Sequence, residues 1–362
     1  MDKLQANTTH IGTALCVDGK KLWRWYRDVL SGFLDEHIQT EQHRYDFKVT
    51  VNGKGKQVKV PILKPDNIGP NMAIDEKQIG EQMHTVLTNR DTGKIALLTN
   101  TLKVSELSSL IVHFETKGFE VKTITRDLSN GYDWFSRQFF PNAGHVADKF
   151  HIIKSVLDAQ QDVRVRYRQQ VLTEKRLKYE AFKATEKKRM QACKQNRESY
   201  KRKAFKFKEK KLPNGETTLE LLARSRYLLY KFKSDWTESQ QERAKVLFEY
   251  YPQIKTAYQL AATFRRWYRK EQIGKTLPNL KKELRNWYEQ VDNADVDEMS
   301  NFKSLVERHQ PIITRYFENG HTNAIAENLN RRIQRFVMIN QGTRDRDFFY
   351  FRVANFFSST SN

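Results

Sequence analysis

Two aspartates occupy positions where a carboxylate is chemically unusual. Asp75 lies inside the apolar run Met72–Lys77, where an acid needs a partner or a cation. Asp127 comes just after a second predicted strand, Val121–Thr125. If these strands are neighbours, their carboxylates converge on one cleft and repel each other unless cations join them. Carboxylate oxygens are suitable ligands for Mg²⁺ or Mn²⁺. Two such ions can catalyse phosphoryl transfer, and a third acid would complete the coordination of the second ion.

Each of these acids also has an ordinary structural interpretation. Asp127 precedes Leu128-Ser129-Asn130-Gly131, and composition alone favours a helix N-cap or an Asx turn there. Another acid, Glu327, lies opposite the apolar face of a predicted helix, so periodicity indicates an exposed side chain. Pairing with Arg331 one turn later would contribute only about 0.3–0.5 kcal/mol. The apolar face consists of Ile325, Leu329, Ile333 and Phe336.

Asp148 is a reserve candidate for the same site. It follows the short predicted strand Gly144–Ala147 and could reach the same sheet edge, while His151 could orient a ligand or touch a phosphate. A cap for the helix that begins at Lys149 is an equally good interpretation of Asp148.

The order of predicted elements supplies a frame for these side chains. Three strands, a helix and a fourth strand are followed by a helix, a short strand and a long helix. This β-β-β-α-β layout is that of a ribonuclease H-like α/β fold with a mixed sheet, in which the first strand and the fourth are neighbours. The predicted elements are Met72–Lys77, His84–Asn89, Lys94–Thr99, Val104–Lys117, Phe119–Thr125, Tyr132–Phe139, Gly144–Ala147 and a helix from Lys149.

The charge balance indicates a polyanionic partner. The 362 residues include 64 basic and 43 acidic side chains, a formal net charge of +21. Nucleic acid is favoured over an anionic membrane surface, because the basic stretches are long and interleaved with Tyr, Phe and Glu. Only two cysteines, no signal peptide and no long apolar run indicate a cytoplasmic protein without a disulfide scaffold or a membrane span.

The pattern of residues 8–31 predicts a helix, a tight turn and a second helix capped by Asp18. It is either a helix-turn-helix whose basic residues face DNA or an ordinary amphipathic hairpin. A predicted β-hairpin, Phe47–Val60, turns at Asn52-Gly53, and Pro61, Pro65 and Pro70 predict a linker to about residue 70. The basic residues of the second helix are Lys20, Lys21, Arg24 and Arg27.

Most of the excess charge lies in one arm, Val163–Lys211, with 19 basic against five acidic residues. With almost no helix breaker, it predicts one or two long helices that bind DNA backbones with little sequence preference; a solvated charged helix is the alternative. A zone rich in Trp and Tyr follows, Leu219–Val291, whose aromatics are expected in the core first and as base-stacking platforms second. Basic residues expected at DNA are Lys201, Arg202, Lys203, Lys206 and Lys208.

Several motifs together resemble one protein family, the DDE transposases of bacterial insertion sequences of the ISL3 group. The central match runs over Thr123–Arg164, with Asp127 and Tyr132 followed by Phe-Pro-Asn-Ala and Asp-Lys-Phe-His. MAIDEK, around Asp75, resembles the first-aspartate strand of that family, and NGHTNAIAENLNRRIQR, around Glu327, resembles its glutamate helix. The match covers roughly residues 71–357.

The resemblance implies a DNA transposase that cuts at element ends and transfers strands into target DNA. Asp75, Asp127 and Glu327 would form a catalytic triad holding two Mg²⁺ or Mn²⁺ ions, with Asp75 shared between them. Water would attack first and the freed 3′-hydroxyl second. Implied partners are double-stranded DNA, at element ends and target, and a second copy of the chain on DNA, in the bacterial nucleoid. The alternative is a catalytically inactive or truncated DNA-binding protein that regulates transposition.

The resemblance also predicts the domain organisation. A helical insertion would separate Asp127 from Glu327 and interrupt the catalytic domain before its last helix. Family members usually carry a Cys-rich zinc-binding segment ahead of the helix-turn-helix, and here we expect that module on another chain or lost. The predicted segments are 1–45 (helix-turn-helix-like), 46–70 (hairpin and linker), 71–160 (catalytic, first part), 161–310 (all-α insertion) and 311–362 (catalytic, last helix).

Overall fold

The chain forms two compact units in the computed structural model. Unit 1 comprises residues 1–151 and 311–362, and unit 2 comprises residues 152–310. No helix in the described part of the chain is long and apolar enough to cross a membrane. The described residues are 8–35, 46–51, 54–79, 81–209, 211–269, 272–273, 275–319, 324–340 and 345–358.

Strands are confined to unit 1, as far as the chain is described. The strands are β1 (Asp46–Val51), β2 (Lys54–Lys59), β3 (Ile62–Leu63), β4 (Asn71–Ile79), β5 (Gln82–Asn89), β6 (Ile95–Thr99), β7 (Thr123–Arg126) and β8 (Gly144–Ala147). The helices of the chain are α1 (Thr8–Ala14), α2 (Gly19–Trp25), α3 (Val104–Ile111), α4 (Asn130–Phe139), α5 (Lys149–Gln195), α6 (Thr218–Arg224), α7 (Arg226–Tyr230), α8 (Glu238–Tyr250), α9 (Pro252–Trp267), α10 (Leu277–Asp292), α11 (Asp297–Arg308), α12 (Gln310–Thr314), α13 (Tyr316–Asn319), α14 (Ala324–Ile339) and α15 (Arg346–Ser358).

A six-stranded mixed sheet organises unit 1. Its strand order is β3-β6-β5-β4-β7-β8. The β4 strand is antiparallel to β5 and parallel to β7, and β7 is parallel to β8. The predicted mixed α/β architecture is therefore confirmed, and the strand that carries Asp75 is next to the one that leads to Asp127.

Both faces of this sheet are covered by helices. On one face, Met72, Ile74 and Leu87 pack with residues of α3 and α4. On the other face, α14 and α15 pack with Ile79 and Val86. Alternate side chains of a strand point to opposite faces, which explains why β4 and β5 supply residues to both clusters. The helix residues in the second cluster are Leu329, Ile333, Phe336, Phe348, Phe351, Val353, Ala354 and Phe357.

Two predictions about the edges of the sheet need correction. The proline-containing stretch up to residue 70 is not wholly a linker, because Ile62–Leu63 pairs with β6 at the sheet edge and Pro65–Asn67 forms a 3-10 turn. Prolines are tolerated beside such an edge strand. The strand predicted from Phe119 begins only at Thr123, because residues 112–120 form 3-10 turns.

The N-terminal segment forms the two predicted short helices. Asp18 caps α2, and its carboxylate accepts hydrogen bonds from the backbone N–H groups of Lys20 and Lys21, at 2.7 and 2.8 Å. Cys16 adopts a left-handed conformation, φ 55°, which ends the first helix. The hairpin strands β1 and β2 pair so that Val51 opposes Lys54, while its predicted turn, Asn52-Gly53, lies outside the described residues.

Unit 2 consists of helices and connecting loops in its described part. Its tryptophans lie in the core: the indole N–H groups of Trp236, Trp267 and Trp287 donate to the buried carbonyls of Leu228, Leu280 and Leu260. Such buried, satisfied indoles serve packing, which confirms the expectation of a core role for these aromatics. The interval predicted for the insertion, 161–310, falls within this unit.

Candidate active site

Three aspartates stand at equivalent positions on three neighbouring parallel strands. Ala73 of β4 pairs with Thr125 of β7, and Thr125 pairs with Val146 of β8. Asp75, Asp127 and Asp148 each follow two residues later. Parallel strands bring their carboxyl ends to one edge of a sheet, so this register forms a row of three carboxylates there. The sequence alone did not give the register that puts Asp148 in this row.

The two predicted carboxylates are both partly exposed and fixed by local hydrogen bonds. The carboxylate of Asp75 accepts from the backbone N–H of Glu76 at 2.8 Å. Asp127 accepts from the backbone N–H of Ser129 at 2.9 Å, which is an Asx turn. The cap of α4 is Ser129, whose hydroxyl accepts from the N–H of Tyr132 at 3.3 Å. The Asx-turn interpretation of Asp127 is therefore confirmed and the N-cap interpretation is wrong.

Asp148 is buried, and its carboxylate oxygens accept from groups of different kinds. One carboxylate oxygen accepts from the backbone N–H of Phe150 at 2.9 Å, as a cap of α5 would, and the other lies 3.1 Å from Nδ1 of His151. This hydrogen bond raises the pKa of His151, and the charges of Asp75 and Asp127 raise it further against the effect of burial. The imidazole thus lies in the field of all three carboxylates.

A buried arginine, Arg126, supports the loop that carries Asp127. Its guanidinium is 1% exposed, donates to the backbone carbonyl of Asp127 at 2.9 Å and pairs with Asp133. Burial, reinforced by the charge of Arg126, lowers the pKa of His145 to about 4, so that imidazole is neutral at pH 7. Sequence reasoning missed Arg126, although a charged residue at an inward position of an apolar strand was a usable signal.

Tyr132 connects α4 to the strand of Asp75. Its buried hydroxyl donates to Glu76 at 3.2 Å and lies 3.3 Å from the hydroxyl of Thr85. Burial raises the pKa of Tyr132 above its usual value, so it stays protonated and keeps donating. The family motif contains this tyrosine, and the structure gives it a role in holding α4 against β4 and β5.

The third predicted acid, Glu327, lies in α14. This helix packs on the sheet through Leu329, Ile333 and Phe336, in the same cluster as Ile79 of β4. The side chain of Glu327 is outside the described part of the structure. Among the side chains that are described, no three His, Cys, Asp or Glu residues form a group able to hold a metal ion.

The carboxylates at the strand ends have the donor chemistry of a site for hard divalent cations. Asp75 and Asp127 offer anionic oxygens from adjacent strands, and Asp148 and His151 lie beside them. Mg²⁺ and Mn²⁺ prefer such oxygen ligands. The residues at this edge therefore fit a divalent cation better than a soft metal, for which thiolates would be needed.

The predicted DNA-facing residues of the N-terminal helices differ in their surroundings. Lys20, Lys21 and Arg24 are exposed on α2. Arg27 is partly buried, and its Nε donates to Asp345 of the segment before α15 at 2.7 Å. A phosphate at Arg27 would have to compete with this ion pair. The other three side chains form no close ion pair in the described part of the chain, although the charges of Lys20 and Arg24 act on Asp18.

The basic arm is not helical throughout, contrary to the prediction. Helix α5 ends at Gln195, Arg197 adopts a left-handed conformation with φ 57°, and residues 198–209 run without regular structure. The reason is packing: the Phe205 ring lies 5.2 and 5.5 Å from the rings of Tyr179 and Phe182 on the helix. Over Phe205–Lys208, aromatic and basic residues alternate with a period of two, which places the two rings on one side of an extended chain and not on one face of a helix.

Glu186 fastens the returning segment to the helix. This glutamate is 8% exposed, accepts from the Tyr200 hydroxyl at 2.9 Å and from the backbone N–H of Lys203 at 3.1 Å, and pairs with Arg189. The hydrogen bond from Lys203 lowers the pKa of Glu186. The basic side chains of the segment remain exposed, and they are Lys201, Arg202, Lys203, Lys206 and Lys208.

Comparison with known proteins identifies one family. The model of the DDE transposases of the ISL3 group, described as a transposase, matches residues 72–353. The matched interval includes Asp75, Asp127, Asp148 and Glu327. No curated protein and no solved structure matches the chain significantly.

Proposed function

The chain belongs to the ISL3 family of DDE transposases, and from this premise we propose that it cuts DNA at the ends of an insertion sequence and joins the freed strands to target DNA. Asp75, Asp127 and Glu327 are the residues proposed to hold Mg²⁺ or Mn²⁺. The observation that carries the proposal is the register of β4 and β7, which places Asp75 and Asp127 at equivalent positions.

The strand order also supports a ribonuclease H-like catalytic domain. Three antiparallel neighbours, β6-β5-β4, are extended by β7 and β8 parallel to β4. The sequence predicted an antiparallel meander whose first strand neighbours the strand before Asp127, and the pairing of β4 with β5 and β7 supports that part of the proposal. In this proposal, α14 supplies the last acid, Glu327, from the helix layer.

The proposed reaction is in-line phosphoryl transfer without a covalent enzyme intermediate. Water attacks the phosphorus at an element end and releases a 3′-hydroxyl, which then attacks a target phosphate and displaces the 3′-oxygen of the target strand. Two divalent ions, when bound, activate the attacking oxygen and stabilise the leaving oxygen. Asp75 and Asp127 hold them, while Arg126 fixes the backbone of Asp127 and Tyr132 fixes α4 beside Asp75.

Asp148 and His151 are proposed to support the same edge of the sheet. Asp148 orients the imidazole through its 3.1 Å contact with Nδ1, and His151 is proposed to meet a phosphate oxygen at this edge. The electrostatic effect of Asp75 and Asp127 on His151 is consistent with this location.

The basic arm and the N-terminal helices are the proposed DNA contacts. Neutralising the five exposed basic residues of the segment 200–209 together should lower affinity for all sequences and flatten the dependence on salt. A triple change of Lys175, Lys183 and Lys188 on α5 tests whether the helix contributes as well. An unchanged slope of log affinity against log salt in both variants would remove the arm from the interface.

A dimer on DNA is proposed because joining two element ends requires two active sites. The charge of +21 opposes self-association in free solution, so we expect a monomer or weak dimer without DNA and a dimer on paired ends. Light scattering of the complex measures this. A persistent stoichiometry of one protein per DNA during strand joining would contradict the dimer.

The decisive experiment is strand joining on a paired-end substrate with Mg²⁺. Asp75→Asn and Asp127→Asn should each abolish nicking and joining, whereas Asp91→Asn, an exposed acid in the loop after β5, should leave both intact. Retained joining by Asp75→Asn would refute the proposed assignment. If the wild-type chain bound end DNA but never nicked it, the alternative of a non-catalytic regulator would be supported instead.

A further inference from the structure

Three arginines of unit 2 gather around one phenylalanine ring. The guanidinium carbons of Arg265, Arg269 and Arg266 lie 4.0, 4.6 and 5.9 Å from the centroid of Phe232. Arg265 is partly buried, and Arg266 and Arg269 are exposed. Three cations therefore share one aromatic surface at the end of α9.

The arginine cluster lacks the close ion pairs that other arginines make in the described part of unit 2. Within the described ranges of the chain, no carboxylate forms an ion pair with any of the three arginines. Asp235 acts on Arg265 only through its longer-range charge. By contrast, Arg224 and Arg243 in the same unit both pair with Glu216, at 3.0 and 2.9 Å. The arginine cluster thus differs from the structural ion pairs around it.

The arginine cluster is more favourable with a bound anion than in the free protein. The distances to Phe232 place the guanidiniums of Arg265 and Arg269 closer together than the screening length, about 10 Å at 0.1 M salt. Like charges held that close repel until an anion joins them. Contact with the ring face restrains the guanidiniums, and a guanidinium in such a contact can still donate its N–H groups to a ligand.

Two neighbouring features indicate a long anion rather than a single small one. Exposed Lys231 and Lys233 flank Phe232. Arg266 also lines an open groove of about 1080 Å³, whose charged lining comprises Lys233, Lys245 and Lys255 with the two glutamates Glu242 and Glu249. Basic side chains still outnumber acidic ones from the arginine cluster into this groove, and an excess of positive charge over that length suits successive phosphates of a nucleic-acid strand.

We propose that the Phe232 arginine cluster, Arg265, Arg266 and Arg269, is a binding site for the phosphate backbone of duplex DNA. The site lies in unit 2 and uses none of the residues of the basic arm. It rests on the proposed function, because it assigns to the helical unit a second DNA contact. We expect no base specificity from this contact, since arginines bind phosphate groups through their charge and through bidentate hydrogen bonds.

The test compares two double variants that remove the same charge. Arg266→Gln with Arg269→Gln changes the cluster, and Lys281→Gln with Lys282→Gln removes two exposed charges from α10 as the control. Binding to a duplex of arbitrary sequence is measured across a salt series in EDTA, so that no cleavage occurs. Thermal unfolding of both variants checks that they fold like the wild type.

The expected result is a loss confined to the cluster variant. Two lost phosphate contacts should reduce the slope of log affinity against log salt by about 1.8 and lower affinity at 0.1 M salt by at least about ten-fold. The lysine control should keep the wild-type slope. Phe232→Leu keeps every charge, so it should retain the slope while weakening binding two- to five-fold, as roughly expected for lost pre-organisation.

Either of two results with the variants would overturn the inference. An unchanged slope in the arginine variant would show that these side chains touch no phosphate and would favour an acidic protein surface or a simple helix-end charge effect. An equal reduction in the lysine control would show diffuse attraction without a site. Failure of the wild-type chain to bind duplex DNA would refute the proposed function as well, whereas Asp75→Asn should leave this binding assay unaffected.

Discussion

Replacing Arg126 by methionine should destabilise the strand ends that carry the aspartates. The side chain is 1% exposed, and its removal leaves the carbonyl of Asp127 without this donor and Asp133 without its buried partner. Breaking a buried pair typically costs about 3–5 kcal/mol. Since Asp133 is one-third exposed and keeps its 2.9 Å bond to Arg137, we expect the lower value, about 3 kcal/mol.

Arg137 provides a matched control for this prediction, because it pairs with the same acid. Its side chain is 66% exposed and lies one helical turn from Asp133. Exposed pairs of this kind contribute about 0.3–0.5 kcal/mol. The same substitution, Arg137→Met, should therefore have little effect on stability.

Hydrogen–deuterium exchange of the β7 and β8 amides measures the effect within unit 1. A loss of about 3 kcal/mol corresponds to roughly a hundred-fold loss of protection in Arg126→Met, against about two-fold in Arg137→Met. Strand joining should fall in the first variant and persist in the second. Equal protection in the two variants would refute the argument that burial, and not charge alone, gives Arg126 its role.

Three further predictions concern other parts of the chain. Burial lowers the pKa of His84 to about 4, so the unfolded chain binds its proton first, and this group alone should remove roughly 2 kcal/mol of the stability of unit 1 between pH 7.5 and 5. His145, whose pKa is lowered in the same way, adds to that loss. An imidazole titration of His84 near 6.5 by NMR would contradict the prediction. Glu186→Gln should speed tryptic cleavage within residues 198–209, whereas the exposed Glu180→Gln should not. Asp148→Ala should reduce strand joining more than thermal stability, and equal losses would leave Asp148 only the role of a helix cap.

The sheet was predictable because its signals are local. Alternating apolar residues and turn residues located β4, β5 and β6, and the element order indicated which strands are neighbours. The register was not predictable, since it depends on pairing between segments 50 residues apart in sequence, such as Ala73 with Thr125. For that reason, Asp148 could be proposed only as a reserve candidate.

The basic arm is a segment for which a local sequence signal gave a partly wrong prediction. The arm has no proline or glycine, which favoured a continuous helix. The alternation of aromatic and basic residues at Phe205 and Phe207 favoured an extended chain instead, but it is short and lies within a very basic sequence. Lys175 and Lys178 of α5 lie 5.7 and 5.4 Å from the ring of Phe207. These contacts join residues about 30 positions apart, and no property of either segment alone specifies them.

The central claim is that Asp75 and Asp127 hold divalent cations together at the ends of β4 and β7. Electron paramagnetic resonance of Mn²⁺ in the presence of element-end DNA measures it directly, because the free ion gives a signal that diminishes on binding. We expect wild-type protein and Asp91→Asn to bind Mn²⁺ alike, and Asp75→Asn and Asp127→Asn each to bind much less. Undiminished Mn²⁺ binding by both active-site variants would contradict the claim.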